Sequence, residues 1–563
     1  MDIFAEILKK RGLDTPDKRT AFLNPSYDAK HDPFLLPDMQ KAVERLISAL
    51  GKQEKIMIYG DYDIDGLTAT TILLDGLASF GFKHVDAFIP NRFVEGYGLT
   101  VDAIERIAKE GATLVITVDC GSLSHEPITR AGELGLDVIV TDHHNVAKEQ
   151  PPAVAVINPK RLLQDFPEHY EGYMLKKAEA SAQLYPFLDL AGCGVAFKLI
   201  QALQTRLEGL PQGQEKWLLD LVALGTVCDV VTLVDENRAN VYWGLKVLAK
   251  TRRPGLKALM AVSRVEPEKV NARSLGFGLG PRMNAAGRLE TARIALDMLT
   301  ATDNEVAFEK AQALDVLNLN RRADQDEIYK AASEQAVKYK NDDVLVVSAP
   351  EWNHGIVGIV AAKLLEKFHK PTFVLQEMGD EAKGSARSYG DFSAADAIRS
   401  ADDIITKGGG HKLAAGVTLP TQNIAAFRKQ VNEFYKKQGL DRKKEVVKLL
   451  PREDVLAEID DVGEDLVTKI AQLEPFGSGN LQPILRTHNL TVLNVRKMGS
   501  EGQHVKIEAR SATGRAMQFL AFSAPEHFFV EIGMEISVWY QPDINEWQGR
   551  RSVEGKLLRL EIT

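Results

Sequence analysis

Asp61, Asp63 and Asp65 occupy alternate positions in GDYDIDG, directly behind the apolar run KIMIY. Asp119 follows LVITV in the same way, and Asp142, His143 and His144 follow DVIVT. Short β-branched runs of this kind read as strands, so three clusters of acids and imidazoles are expected where three strands end. If the chain stays extended after the first strand, its three carboxylates share one side and Tyr62 and Ile64 face the other. Carboxylates packed together raise one another's pKa unless cations compensate. Carboxylate and imidazole, with no soft sulfur, are the ligand set of Mn²⁺ or Mg²⁺. Each Asp taken alone reads most simply as a turn or helix-cap residue. The joint placement reads as a metal centre. Two adjacent histidines in an extended strand face opposite ways, which gives one to metal and the other to substrate. Asp229, closing the apolar run LLDLVALGTVCD, is a fourth candidate, since a carboxylate in such surroundings needs a partner.

Two divalent ions about 3.5–4 Å apart lower the pKa of a water between them and stabilise in-line displacement at phosphorus. Such chemistry needs no nucleophilic side chain. The sequence has no GxSxG elbow for a Ser/His/Asp enzyme and no GxxxxGK[ST] loop for ATP. Cys120, Cys193 and Cys228 form no CxxC pair and suit reduced, buried thiols. Cys120 and Cys228 adjoin Asp119 and Asp229, which suggests tight strand ends.

The elements that must position these groups begin at Lys55. Strand-like KIMIYG, VDAFIP, LVITVDCG, DVIVTDHH and AVAVINP alternate with helical stretches, the pattern of a doubly wound parallel α/β sheet. Ligands of such sheets bind beyond the carboxyl ends of the strands, where the acids fall. Residues 162–186 read as a polar insertion or surface loop. NLNRRADQDEIYKAASEQAVKYK reads as a long polar helix, a solvated connector. A second, smaller α/β pattern starts at DVLVVSAP and ends near GGGHKLAAG. From Ile484 to Ile562 short strands and turns suggest a five-stranded barrel.

Length and charge set limits. At 563 residues and 62.2 kDa, two to four domains are expected. No apolar run approaches membrane-spanning length, and the N-terminus mixes acids and bases without an apolar core, so a cytoplasmic protein is expected. The net charge of −9 argues against a protein that coats nucleic acid with a basic face. It does not exclude nucleic acid, because bound metals neutralise an acidic cluster. From Leu481 onward there are ten Lys/Arg against nine Asp/Glu, so the acidity lies elsewhere.

Outside the acidic clusters, Arg282, Arg288, His354, Arg387 and His411 are candidate phosphate binders. Arginine suits bidentate phosphate contact, and the small residues Gly355, Ser385 and Gly410 beside them let backbone approach an anion.

In order and spacing, DYDIDG, VDCG, TDHH and VCD resemble the motifs of the DHH phosphoesterases. PRMNAAGR, HGIVGIVAAKL, GSARS, GGGHKLAAG and EPFGSGNLQP are similar to those of the RecJ branch, and the likeness covers nearly the whole chain. Cys228 before Asp229 departs from the usual small apolar residue. The resemblance implies an N-terminal segment over residues 1–50 packed on a DHH catalytic domain of residues 51–290. A connecting helix over 291–340, a DHHA1 substrate domain over 341–440 and an OB-fold barrel over 450–563 follow. It implies that Asp63 binds one ion, Asp65 the other, and Asp119 both. His143 and Asp229 complete the second site, His144 meets the scissile phosphate, and Asp142 supports its neighbour. Asp61 stands where many relatives carry a histidine ligand. Ser385 and Arg387, with Arg92, are implied to hold a terminal 5′ phosphate, and Asn284 lies among the substrate contacts. The activity implied is 5′→3′ hydrolysis of single-stranded DNA in repair and recombination, duplex being excluded by a narrow passage. The implied protein is a monomer working with a single-strand-binding protein and a repair helicase.

Among Phe519, Phe522, Phe528, Phe529, Trp539, Tyr540 and Trp547, most are expected in the barrel core and a few as stacking platforms for bases. Two other readings compete. A DHH phosphodiesterase of short oligonucleotides or cyclic dinucleotides would have little use for the C-terminal barrel. A non-catalytic single-strand-binding module would have little use for the carboxylates.

Overall fold

The computed structural model describes residues 2–176 and 183–563. It forms two compact units, one of residues 1–286, 290–314 and 451–563, the other of residues 287–289 and 315–450.

The first unit opens with α1 (Ile3–Lys10), α2 (Pro16–Leu23) and α3 (Met39–Lys52). Strands then alternate with helices: β1 (Ile56–Tyr59), α4 (Ile64–Ser79), β2 (Val85–Phe88), α5 (Val101–Lys109), β3 (Leu114–Val118), α6 (His125–Glu133), β4 (Asp137–Thr141) and β5 (Ala155–Ile157). Every pairing is parallel, in the order β2-β1-β3-β4-β5. β1 and β3 are buried at every residue, which is why they read as unbroken apolar runs. Met57, Tyr59, Val115 and Val138 share one core with Ile104 and Ile107 of α5 and Ile128 of α6. Because the chain steps from β1 out to β2 and returns to β3, the strand order reverses between β1 and β3. A crevice opens at such a point, beyond the carboxyl ends of the strands.

After β5 come α7 (Lys160–Asp165) and a two-strand hairpin, β6 (Tyr170–Glu171) with β7 (Met174–Leu175). The segment expected to be a surface loop is anchored, because Tyr170 and Tyr185 are buried and the Tyr170 hydroxyl donates to the Tyr185 carbonyl. Residues 177–182 of that segment lie outside the described residues. α8 (Gly192–Gln204) and α9 (Leu219–Cys228) pack on α4. α10 (Asp235–Leu248), α11 (Pro254–Val262), a π-helical turn (Ser274–Leu279), α12 (Gly280–Leu289) and α13 (Arg293–Thr300) follow.

A buried ion pair ties α8 to α10. Lys198 Nζ donates to Glu236 Oε1 and to the His31 carbonyl, each at 2.6 Å, and both side chains are at most 3% exposed. Among the described residues, Lys198→Met leaves the buried Glu236 carboxylate with the Tyr185 hydroxyl and the His31 N–H as its hydrogen-bond partners. Urea unfolding is expected to show a loss of about 3–5 kcal/mol, the cost of stranding one member of a buried pair. A loss below 1 kcal/mol would show that the pair is dispensable.

α14 (Asn304–Lys338) runs 35 residues, from the first unit into the second. It is not a solvated connector. Ala307, Ala311, Leu314, Asn318, Arg321, Gln325, Ile328, Ala332 and Ala336 recur every three or four residues and are buried. Their stripe is interrupted by amides and a guanidinium, which masks it in a count of hydrophobic residues. The expected connecting segment also holds two helices, since α13 precedes α14 and packs against α4 and α11.

In the second unit β8 (Leu345–Ala349), α15 (Val357–Phe368), β9 (Thr372–Met378), β10 (Glu381–Arg387), α16 (Ala394–Arg399), β11 (Lys407–Gly410), β12 (Ala414–Pro420), α17 (Ile424–Lys437) and α18 (Arg442–Val447) build a sheet ordered β11-β12-β10-β9-β8. Only β8–β9 is parallel.

Back in the first unit, β13 (Val455–Leu456) and α19 (Glu464–Ala471) lead to β14 (Leu485–Met498), β15 (His504–Arg510), β16 (Ala516–Ala521), β17 (Glu535–Trp547) and β18 (Arg550–Ile562). The ladder β14-β15-β16-β18-β17 closes on itself through β14–β17, a five-stranded barrel. Phe519, Phe528, Trp539 and Tyr540 are buried, Phe529 is half-buried under Lys497, and Phe522 is 64% exposed. The side chain of Trp547 lies outside the described residues. Ile3, Ile7 and Leu8 of α1 belong to the barrel's core, with Leu466 and Ile470 of α19. The first 50 residues are therefore not one segment on the catalytic domain. α1 presents its apolar i, i+4 stripe to the barrel, while α3 packs against α8 and β5. Among the described residues, no helix is long and apolar enough to cross a membrane.

Candidate metal centre

The carboxyl end of β1 passes straight into a helix. Asp63 caps α4, its Oδ1 accepting from Asp65 N at 3.0 Å and Gly66 N at 3.1 Å. Asp65 lies in the first turn, fully buried, and accepts from Gly192 N at 2.6 Å and Cys193 N at 2.9 Å at the start of α8. The chain is thus not extended through Asp65, contrary to the alternation argument. The helix turn brings Asp63 and Asp65 to the crevice instead. Asp63 is both cap and cluster member, so the cap reading and the metal reading of that residue do not exclude each other.

Asp119 follows β3 with φ of +61°, a left-handed conformation that Asp tolerates better than most residues. Cys228 closes α9, so Asp229 sits at a helix end and not at a strand end as its cysteine neighbour suggested. Beyond β4 the chain leaves the strand, and His143 and His144 turn to the same side, with ring centroids 4.5 Å apart. Asp142 Oδ1 accepts from both histidine backbone N–H groups and lies 2.9 Å from His144 Nδ1, and its Oδ2 accepts from Ser122 N. The Tyr97 hydroxyl lies 3.3 Å from the same His144 nitrogen.

These residues form overlapping sets. Asp61, Asp63 and Asp119 offer ligand atoms within 4.8 Å of one another, as do Asp65, His143 and Asp229, and as do Asp119, His143 and His144. Burial and then the charge of Asp63 push the Asp61 carboxyl well above its usual range. Burial, followed by the charges of Asp65, Asp63 and Asp61, does the same to Asp119. Burial beside Asp65 and Asp63 pushes Asp229 up to about 9. Burial and the neighbouring His144 bring His143 down to about 4, so its imidazole is neutral at pH 7. Burial alone would raise Asp142, but the His144 hydrogen bond and charge outweigh it and hold that carboxyl below the usual range.

His143 Nε2 approaches Asp119 Oδ1 to 3.0 Å, yet neither atom is placed for a hydrogen bond. A neutral ring makes no ion pair there. Asp61 Oδ1 and both His143 nitrogens are likewise buried without a hydrogen-bond partner in the described structure. Buried polar atoms left so are costly, and several converge here as carboxylate and imidazole lone pairs. The donor set fits hard to borderline divalent cations.

Two glycines missed by motif reading make this approach possible. A Cβ on Gly192 would lie 2.8 Å from Asp119 Cβ, and one on Gly225 would lie 2.8 Å from Asp65 Oδ1. Gly-Cys-Gly opening a buried helix was the available signal. Tyr62 was also missed as a partner; the Arg92 guanidinium stacks 4.2 Å from its ring centroid.

The candidate phosphate binders divide between the units. Arg92, Arg282 and Asn284 belong to the first. Arg282 Nη1 donates to the Gly278 carbonyl, and Asn284 Oδ1 accepts from Ile64 N, pinning the turn between Asp63 and Asp65. Arg288, His354, Ser385, Arg387 and His411 belong to the second. Arg288 Nη1 donates to the Gly355 carbonyl, and His354 Nδ1 lies 2.8 Å from Gln376 Oε1. Ser385 Oγ and Arg387 Nη2 both face Gly358 in the first turn of α15, 3.3 Å from where a Cβ would stand. His411 sits at the turn between β11 and β12, its N–H bonded to the Ala414 carbonyl.

Known proteins resemble the chain over most of its length. Models of the DHH family N-terminal domain, the DHHA1 domain and the RecJ OB domain match residues 55–226, 341–437 and 454–558. The chain is 36% identical to the single-stranded-DNA-specific exonuclease RecJ of Bacillus subtilis, over 98% of this chain and 66% of that protein. It is 33% identical to the RecJ of Salmonella typhimurium, over 92% of this chain and 89% of that one. The chain therefore spans about two thirds of the Bacillus relative's length. The crystal structure of Thermus thermophilus RecJ in complex with Mn²⁺ superposes with a TM-score of 0.81 at 29% identity, covering 99% of this chain and 75% of that one. The same protein with Mg²⁺ gives 0.73. With three domain matches in this order and one-third identity across nearly all of the Salmonella protein, the chain belongs to the RecJ family of single-stranded-DNA-specific exonucleases.

Proposed function

We propose that this chain hydrolyses single-stranded DNA from the 5′ end, releasing 5′-mononucleotides, with two divalent cations, Mn²⁺ or Mg²⁺. The observation that carries the reading is that Asp61, Asp63 and Asp119 are joined to Asp65, His143 and Asp229 by a third set, Asp119, His143 and His144, at the β1/β3 crevice. In this reading Asp61, Asp63 and Asp119 hold one ion and Asp65, His143 and Asp229 the other, with Asp119 shared. When bound, the ions supply Lewis acidity and charge neutralisation for attack of water at phosphorus. Asp142 fixes the His144 ring through Nδ1, which leaves Nε2 to meet the scissile phosphate. Asn284 holds the Asp63–Asp65 turn in register. Arg92 and Arg282 serve phosphates near the cluster, and Arg288, His354 and His411 serve phosphates on the second unit. Ser385 and Arg387, at the N-terminal turn of α15, take the terminal 5′ phosphate and set polarity. The work belongs to DNA repair and recombination in the cytoplasm, by a monomer that meets a single-strand-binding protein and a repair helicase.

The test uses Mn²⁺ and 3′-labelled oligonucleotides, single-stranded and blunt duplex in parallel. Stepwise shortening of the single strand from its 5′ end, with the duplex intact, is the expected result. Cleavage confined to di- to tetranucleotides would leave the chemistry standing and sink the substrate assignment.

A further inference from the structure

The π-helical turn Ser274–Leu279 contains none of the residues placed at the metal cluster. Single π turns are rare and recur at functional sites. This one packs on the end of α9 next to the metal cluster. Cys228 Sγ lies 3.6 Å from the Leu275 carbonyl, and Cys228 directly precedes Asp229. Leu275 and Leu279 are fully buried, whereas Phe277 between them points outward, 75% exposed. The Arg273 guanidinium lies 5.7 Å from the Phe277 ring centroid. A second apolar side chain stands outside here: Val230, directly after Asp229, is 68% exposed at φ +64°. Left-handed backbone in a β-branched residue is a genuine outlier that persists only where its surroundings impose it. On the barrel, burial and then the charge of Arg273 hold the Lys556 ammonium of β18 below its usual range, against the opposing charge of Asp543. An exposed aromatic ring beside an arginine, in a chain of net charge −9, suits a polyanion whose units carry flat π faces.

We propose that Phe277, with Val230, is a platform on which a nucleobase next to the scissile phosphate stacks, while Arg273 and Lys556 receive the phosphates that continue toward the barrel. The proposal rests on the nuclease reading above for the identity of the strand. The π turn serves it by turning Phe277 out while Leu275 and Leu279 stay in the core, so the ring is fixed relative to Asp229.

The experiment measures anisotropy of a 3′-labelled thymidine 12-mer and of an abasic strand of the same length, with Ca²⁺ replacing Mn²⁺. Phe277→Ala is expected to weaken the thymidine strand about tenfold, the loss of one base–aromatic stack. The abasic strand should bind both proteins alike, and Phe277→Trp should restore thymidine binding. The substitution is at an exposed position, so the melting temperature should not move. Equal weakening of both strands, or none of either, would overturn the platform. Selective weakening supports it even if no strand is degraded with Mn²⁺, a result that would remove the nuclease reading alone.

Discussion

Asp119→Asn is expected to abolish hydrolysis, by more than about 10³-fold, and at the same time to stabilise the metal-free protein. Asparagine keeps the shape of Asp119 and tolerates its φ of +61°, so the backbone at the end of β3 is undisturbed. What changes is charge. Asp119 lies with Asp61 and Asp63 and also with His143, so in the two-ion reading each ion would lose a ligand. Without metal, its carboxylate is buried against Asp65, Asp63 and Asp61, which is why its pKa lies well above the usual range. A carboxyl raised on folding binds more protons in the folded than in the unfolded state at neutral pH. Its destabilisation is complete above the folded pKa and relieved as pH falls toward the ordinary carboxylate value. The metal-free wild type should therefore melt higher at pH 6 than at pH 9, where even Asp229, pushed up to about 9, has begun to ionise. Asp119→Asn should melt at least about 2 °C above wild type in EDTA at pH 8 and show a flatter pH dependence. Mn²⁺ should raise the wild-type melting temperature and barely move the variant. A variant that keeps its rate within tenfold, or melts lower in EDTA, would show that Asp119 is structural.

Much of this site was legible in the sequence because strand ends are legible. Runs such as LVITV and DVIVT show no polar alternation, which marks buried parallel strands, and the acids that follow them must then share one edge of the sheet. The cap role of Asp63 and the metal role looked like alternatives, yet one carboxylate has enough lone pairs for both. Less visible was anything decided by a partner distant in sequence. α1 looks like a generic amphipathic helix, and only the barrel's unfilled core, some 450 residues later, explains where it packs. The buried stripe of α14 is carried partly by Asn318, Arg321 and Gln325, polar residues that hydrogen-bond to one another, so apolar periodicity did not show it. Phe277 could not be told from a core residue, because a π turn shifts the phase that a 3.6-residue period predicts.

The glycines of α8 give the second large effect, and helix propensity predicts the wrong sign for it. Replacing a helical glycine with alanine ordinarily stabilises a protein, by up to about 1 kcal/mol. Gly194→Ala should do so, since its Cβ would meet Leu190 at 3.5–3.7 Å, ordinary contact. Gly192, two residues earlier in the same helix, should behave oppositely. Its Cβ would lie 2.8 Å from Asp119 Cβ and 2.9 Å from Oδ1, while its N–H donates to Asp65 Oδ2 at 2.6 Å. The Asp119 side chain has one rotatable bond before its carboxylate and sits on a left-handed residue at a strand end, so it cannot yield freely. Either Asp119 moves, or the start of α8 backs away and Asp65 loses its two N–H donors. Displacements of this size near reacting groups cost about 10²-fold in rate. Gly192→Ala is therefore expected to lower Mn²⁺-dependent hydrolysis about a hundredfold and to shrink the Mn²⁺-induced rise in melting temperature, with the circular dichroism spectrum unchanged. Gly225→Ala, aimed at Asp65 Oδ1, Thr68 Oγ1 and Cys193 Sγ from α9, should act in the same direction. The comparison with Gly194→Ala decides the cause. Equal losses in the two α8 variants would point to a general disturbance of the helix, whereas loss in Gly192→Ala alone places it at the carboxylates.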